Sequence, residues 1–133
     1  MRCSLALLAT CLLLLSGCHY SSSDSYGYSV TVSTQAQPNA LYEGTSSTLV
    51  SRYAVDNASV YITAEDWTVT SAPDGYVLSD AGREATFTPL GPGTYVVRYR
   101  TWYYTDWDSC YCYEATSYRE TYVTVTALAA PAG

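Results

Sequence analysis

Between Gly93 and Tyr104 the chain reads Gly-Thr-Tyr-Val-Val-Arg-Tyr-Arg-Thr-Trp-Tyr-Tyr, and this segment does most to limit what the sequence can become. Side chains on an extended strand alternate between its two faces. Tyr95, Val97, Tyr99 and Thr101 therefore share one side, and Val96, Arg98, Arg100 and Trp102 the other. The first side suits a core, while the charged side should meet solvent. The same period of two recurs where Trp67 and Val69 alternate with Asp66 and Thr68, and where Ala85 and Phe87 alternate with Glu84 and Thr86. Inner faces of this kind close most simply as two packed antiparallel sheets.

The rest of the chain between residues 30 and 126 is rich in Val, Thr, Tyr and Trp, is punctuated by Pro and Gly, and shows no convincing helical periodicity. Strands are expected near Ser29 to Thr34, Thr48 to Ala54, Ser59 to Thr63, Asp66 to Ser71, Ala85 to Thr88, Gly93 to Tyr104 and Thr121 to Thr126, with a short pairing segment around Cys110 to Glu114. Pro73-Asp74-Gly75 and Pro89-Leu90-Gly91-Pro92-Gly93 are strong turn signals between them. The expected fold class is all-β, a two-sheet antiparallel sandwich with a long final hairpin.

The N-terminus is of a different kind. Arg2 gives a positive start, Leu5 to Leu15 an apolar segment of signal-peptide length, and small Ser16 and Gly17 stand before Cys18. An uncleaved membrane span needs about 20 apolar residues, more than precede the polar run that begins here. An ordinary secretory leader is the plainer alternative. Leu15-Ser16-Gly17-Cys18 resembles the lipobox of bacterial lipoproteins. That resemblance implies diacylglycerol on the Cys18 thiol, cleavage just before it, and in many cases acylation of the new amino group. Residues 1–17 would then be a signal peptide, 18–29 a flexible Ser-rich tether, 30–126 a single domain, and 127–133 a tail not expected to pack. Buried acyl chains contribute about 0.8 kcal/mol per methylene, so one chain binds a membrane marginally and two or more hold firmly. His19 stands where Asp commonly marks inner-membrane retention in enteric bacteria, so the resemblance implies an outer-membrane destination.

Charge and cysteine content narrow the partners. Twelve acids face six arginines, and loss of Arg2 with the leader takes the formal charge from −6 to −7. Such a surface repels phosphate backbones, so nucleic acid is not an expected partner. Cys3 and Cys11 lie in the leader and Cys18 goes to lipid, which leaves Cys110 and Cys112. In an oxidising envelope these should not remain idle thiols. They either bond to each other or pair with another molecule. Cα atoms two apart on a strand stand near the upper limit for a disulfide, so an intrachain bond needs a turn at Tyr111.

Trp67-Thr68-Val69, Pro73-Asp74-Gly75, Leu78, Phe87-Thr88-Pro89, Gly93-Thr94-Tyr95-Val96-Val97 and Val123-Thr124-Val125 together resemble bacterial polycystic-kidney-disease-type (PKD) and related immunoglobulin-like domains. The resemblance covers roughly residues 30 to 126. It implies a buried Trp67 on the third strand, between two sheets, and a Gly-Thr-Tyr-Val element opening the strand before the last. The sequence departs from the pattern between Asp56 and Asp66 and between Tyr103 and Tyr122, and it lacks the Trp-x-Phe-Gly-Asp-Gly core of the best-known subgroup.

Raw materials for catalysis are few. A sole histidine, His19, precludes a Ser-His-Asp triad on the domain, and no nucleophile elbow, phosphate-binding Gly loop or zinc-protease motif is present. Acidic pairs are the only enzyme option left, and Glu65 with Asp66, or Asp106 with Asp108, could in principle serve a glycosidase mechanism. Asp106-Trp107-Asp108-Ser109 with Glu114 offers oxygens for calcium, although turn aspartates explain themselves by bonding their own backbone. No enzyme activity, cofactor or metal is expected. Aromatic residues are the richer signal, because a thin core cannot bury every Tyr and Trp between Tyr95 and Tyr122. Trp102, Tyr104, Trp107, Tyr111 and Tyr113 are expected to form an outward platform that contacts a glycan or an envelope protein. The plainer alternative is that they stiffen a long hairpin. The expected role is a non-enzymatic adhesion, assembly or ligand-binding module displayed from the membrane; the competing ones are a structural spacer and, less favoured, a carbohydrate-processing accessory domain acting through paired acids. Intact mass of the purified mature protein, with and without reductant, should show cleavage before Cys18, added acyl groups and the state of Cys110 and Cys112.

Overall fold

The computed structural model describes residues 29–105, 109, 110, 113, 114 and 117–132. Cys18, Asp106, Trp107, Asp108, Tyr111 and Cys112 lie outside the described residues. The strands are β1 (Ser29–Gln37), β2 (Ala40–Tyr42), β3 (Ser47–Asp56), β4 (Val60–Ser71), β5 (Tyr76–Ala81), β6 (Glu84–Pro89), β7 (Gly93–Thr105), β8 (Ser109–Cys110), β9 (Tyr113–Glu114) and β10 (Ser117–Leu128). Among the described residues there is no helix. One sheet has the order β1-β3-β6-β5, the other β2-β10-β7-β4, and β8 pairs only with β9.

Alternation in β7 is realised without interruption. Every odd residue from Tyr95 to Thr105 is buried and every even one from Val96 to Tyr104 partly exposed. β10 lies antiparallel to β7 in unbroken register from Ser117 opposite Tyr103 to Ala127 opposite Gly93, forming the long final hairpin. β1 and β2 are contiguous in sequence but belong to opposite sheets, and the chain crosses between them at the cis Gln37–Pro38 bond. Pro38 accepts a hydrogen bond from Ser47 Oγ at 2.6 Å and Asn39 one from Thr126 N at 2.8 Å, so the crossing ties the sheets along one side. β2 runs parallel to β10, which makes the second sheet mixed rather than purely antiparallel.

Trp67 occupies the place its alternation predicts. It is 4 % exposed, its ring lies 4.6 Å from that of Tyr99 at 48°, and its Nε1 donates to Gly82 O at 2.7 Å. That bond joins β4 of one sheet to the β5–β6 turn of the other. Leu49, Phe87, Tyr95, Val97 and Val125 are wholly buried around it. Phe87 meets Tyr95 edge-on at 5.3 Å, and the Tyr95 hydroxyl donates to Gly91 O at 2.9 Å, fastening the loop before β7 to its own core residue. Gly93 has φ of 134°, and a Cβ there would stand 2.5 Å from Pro73 Cγ. Only glycine suits this close approach of two turns.

Several expected boundaries are corrected. The segments Ser59 to Thr63 and Asp66 to Ser71 are one strand, β4, whose register shifts between Ile62 and Ala64 and between Val69 and Ser71. β2 and β5 were not expected, each placing only one aliphatic side chain against the core, Leu41 and Leu78. The tail is not wholly unpacked either, for β10 continues through Leu128 and Ala127 is buried in the core. Ser29, Asp56, Val60 and Thr105 lie together at one end of the sandwich, since Ser29 pairs with Asp56 and Val60 with Thr105.

Replacing Trp67 with Ala should cost about 3–5 kcal/mol through the cavity it leaves, a large share of the stability of a domain this size. Thermal melts followed by circular dichroism should show the loss or collapse of the cooperative transition. A variant melting as sharply and as high as the parent would refute the central role of Trp67. Gly93→Ala should lower the melting temperature in the same assay, because its added methyl meets Pro73.

Candidate functional site

Register across β4, β7 and β10 builds an outward face in rows. Tyr61 of β4 stands opposite Tyr104 of β7, and Ala64 opposite Trp102, which is followed by Tyr118 of β10. The next row is Asp66, Arg100, Glu120, and the one after it Thr68, Arg98, Tyr122. Beyond Val96 and Thr124 the face turns to threonines, Thr94 and Thr126. One half is thus aromatic and charged, the other small and polar. Tyr61 and Tyr104 stack with centroids 5.0 Å apart and planes 16° from parallel. Tyr118 and Tyr122 are more than half exposed, at 55 % and 54 %.

Arg100 organises the middle. Its Nε and Nη2 donate to Glu120 Oε2 at 3.1 and 2.9 Å, and its guanidinium lies 5.8 Å from the Trp102 ring and 5.5 Å from that of Tyr118. Hydrogen bonding to Glu120 raises the Arg100 pKa above its already high ordinary value, so this cation is permanent. Asp66 accepts from Thr68 Oγ1 at 2.7 Å. Arg98 Nε is buried without a hydrogen-bond partner, leaving one donor of this face unsatisfied beneath the surface.

Beneath the aromatic half, the interior is polar. Glu65 points inward, and its Oε1 accepts from the hydroxyls of Tyr53 at 2.6 Å and Tyr99 at 2.7 Å. The two hydroxyls also contact each other, and Tyr53 reaches Thr101 Oγ1 at 3.2 Å. Desolvation by burial, followed for Tyr53 by its bond to Glu65, pushes both tyrosine pKa values above the ordinary range. An open groove of about 460 Å³ beside this cluster is lined by Ser51, Arg52, Tyr53, Val55, Val60, Ile62 and Arg83. The Arg83 guanidinium is 4.7 Å from the centre of the Tyr53 ring, and its Nε 3.9 Å from Glu65. This wall of the groove is therefore already engaged with the core network.

Of the five expected contact residues, Trp102 and Tyr104 lie on the outward face. Trp107 and Tyr111 lie outside the described residues. Tyr113 belongs to β9 and Cys110 to β8, opposite one another in an antiparallel pair. Tyr61, Tyr118 and Tyr122 join the face through pairing between strands distant in sequence, while Arg98 and Arg100 share the outward side of β7 with Trp102. Tyr118 and Tyr122 carried a usable signal, being four apart and hence on the same side of one strand. Glu65 and Asp66 do not form a carboxylate pair facing one space, since Glu65 points into the core and Asp66 out of the sheet. Among the described residues no three His, Cys, Asp or Glu side chains come together. The chain matches no known family profile and no curated protein.

Stability should fall at alkaline pH in a way this cluster dictates. The tyrosines hold their protons to higher pH in the folded chain than in the unfolded one, so their contribution is intact below about pH 10 and declines as pH rises through that value. Chemical denaturation across pH 8 to 11 should show the decline. Tyr99→Phe should cost about 1 kcal/mol at neutral pH yet flatten the alkaline loss.

Proposed function

We propose that this chain is a cell-envelope lipoprotein whose immunoglobulin-like, PKD-type domain is a non-enzymatic contact module, tethered through an acylated Cys18 and probed by its partner at the face of β4, β7 and β10. The immunoglobulin-like assignment draws support from the two sheet orders, β1-β3-β6-β5 and β2-β10-β7-β4, from buried Trp67 on β4, and from Gly93-Thr94-Tyr95-Val96 at the start of the long strand before the last full-length one. The lipoprotein reading rests on Leu15-Ser16-Gly17-Cys18 and the apolar run before it. Eleven residues of Ser-rich composition, as over 18–28, would reach roughly 20 Å as a flexible chain, enough to hold the domain clear of headgroups. An outer-membrane location follows from His19 by the same resemblance.

The observation that carries the contact role is the outward collection of Tyr61, Trp102, Tyr104, Tyr118 and Tyr122 around an Arg100–Glu120 pair. Large rigid rings offer contact area at small cost in side-chain entropy, as recognition surfaces require. A second reading, a spacer without a dedicated ligand, is favoured by the Tyr61–Tyr104 stack, since cross-strand aromatic pairs also stiffen sheets.

Metabolic labelling with palmitate should mark the protein and fail to mark Cys18→Ser. In a pull-down against a defined panel of envelope and exogenous glycans and proteins, the Trp102→Ala, Tyr104→Ala double variant should lose at least about tenfold in apparent affinity, the cost of some 1.4 kcal/mol. Equal and negligible binding by parent and variant would leave the spacer reading.

A further inference from the structure

We infer that the occupant of this face is an extended, uncharged polysaccharide. The inference rests on the reading of the β4–β7–β10 face as a contact surface, and deepens it by naming the partner's chemistry.

Charge argues first. Arg98 and Arg100 are balanced on the face by Asp66 and Glu120, while the chain as a whole carries −6. A polyanion would meet net repulsion, and Arg100 is already held by Glu120. A polycation would find the two arginines in its path. The matching occupant carries no net charge.

Hydration argues second. Arg100 and Glu120 sit in the middle of the face with side chains 31 % and 33 % exposed, flanked by rings on either side. Protein interfaces are depleted of charge at their dry centres, where burying such a pair costs more than it returns. A polyol does not need that centre dry. Its hydroxyls donate to Asp66 and Glu120 and accept from the guanidinium groups, and its C–H faces lie against Tyr104, Tyr61, Trp102 and Tyr118.

Shape argues third. Residues two apart on a strand are spaced about 6.7 Å, so the four rows from Tyr104 to Arg98 span roughly 20 Å along β7. That is a track several sugar rings long on a sheet face, and it should favour a polymer over a free monosaccharide.

Native affinity electrophoresis of the full chain in gels containing β-1,4-glucan (hydroxyethylcellulose), β-1,3-glucan, galactomannan or dextran tests this, with alginate and polygalacturonate as charged comparisons. At least one neutral polymer should retard the protein. Titration of that polymer, followed by tryptophan fluorescence, should give an affinity unchanged within twofold between 0.05 and 0.5 M NaCl, and millimolar monosaccharide should not compete. Trp102→Ala and Tyr104→Ala should each weaken binding at least tenfold, with thermal melts like the parent's, while Thr124→Ala on the same face should not. No retardation in any neutral gel, retardation only by the charged polymers, or retardation unchanged in both aromatic variants would overturn the inference. If neutral polymers fail but a purified protein from the defined panel binds and is lost with Trp102→Ala, the contact face stands and the polysaccharide assignment falls.

Discussion

The Trp67 side chain is the wedge on which the rest of this structure depends. Its indole packs on Tyr99 of the neighbouring strand, and its nitrogen donates to Gly82 in the opposite sheet. Asp80 reinforces the joint by accepting from the Trp67 backbone nitrogen at 3.3 Å. On the side of the sandwich where β1 and β2 cross between sheets, the chain itself supplies the closure. On the β4 side the chain crosses too, from β4 to β5 through residues 72–75, and Trp67 adds a side-chain bond between the two sheets. Since β4 is an edge strand, its position determines where Tyr61 and Asp66 stand on the outward face.

Farther along the same strand, the interior changes character. Around Trp67 it is aromatic and aliphatic, but toward Thr105 it becomes a set of hydroxyls gathered on a carboxylate. Glu65 in an apolar core would be costly unless hydrogen-bonded. Here two tyrosines donate to one of its oxygens, and Arg83 approaches it from the side. Such a network has fixed donor and acceptor directions, so it holds β3, β4 and β7 in defined relation where bulk packing is thin. Trp102 and Tyr104 project from β7 directly above it. The rigidity of the outward face thus has a polar origin at one end and a hydrophobic one at the other.

Most of the architecture was legible because of alternation. The inward set Tyr95, Val97, Tyr99 and Thr101, the buried Trp67, and the pair Ala85 and Phe87 all lie where a period of two places them. Strands with little inward apolar content escaped notice, as Leu41 and Leu78 illustrate, because a single buried residue makes no pattern. β4 looked like two strands because Glu65 interrupts its apolar series, and only its tyrosine partners, far away in sequence, make a buried acid reasonable there. The face was half legible for a related reason. Trp102 follows from β7 alone, whereas Tyr61 reaches Tyr104 and Tyr118 reaches Trp102 only through long-range register. The adjacent acids Glu65 and Asp66, weighed as a pair and set aside, diverge as neighbours on a strand do.

The meeting of Ser29, Asp56, Val60 and Thr105 at one end of the sandwich sets its polarity. Chain entry and the stacked Tyr61–Tyr104 pair share that pole, while Leu128 and Tyr42 mark the opposite one. Any group attached through the chain before Ser29 is therefore joined to the sandwich at its ringed pole, and the threonine-covered pole is the one farther from that junction.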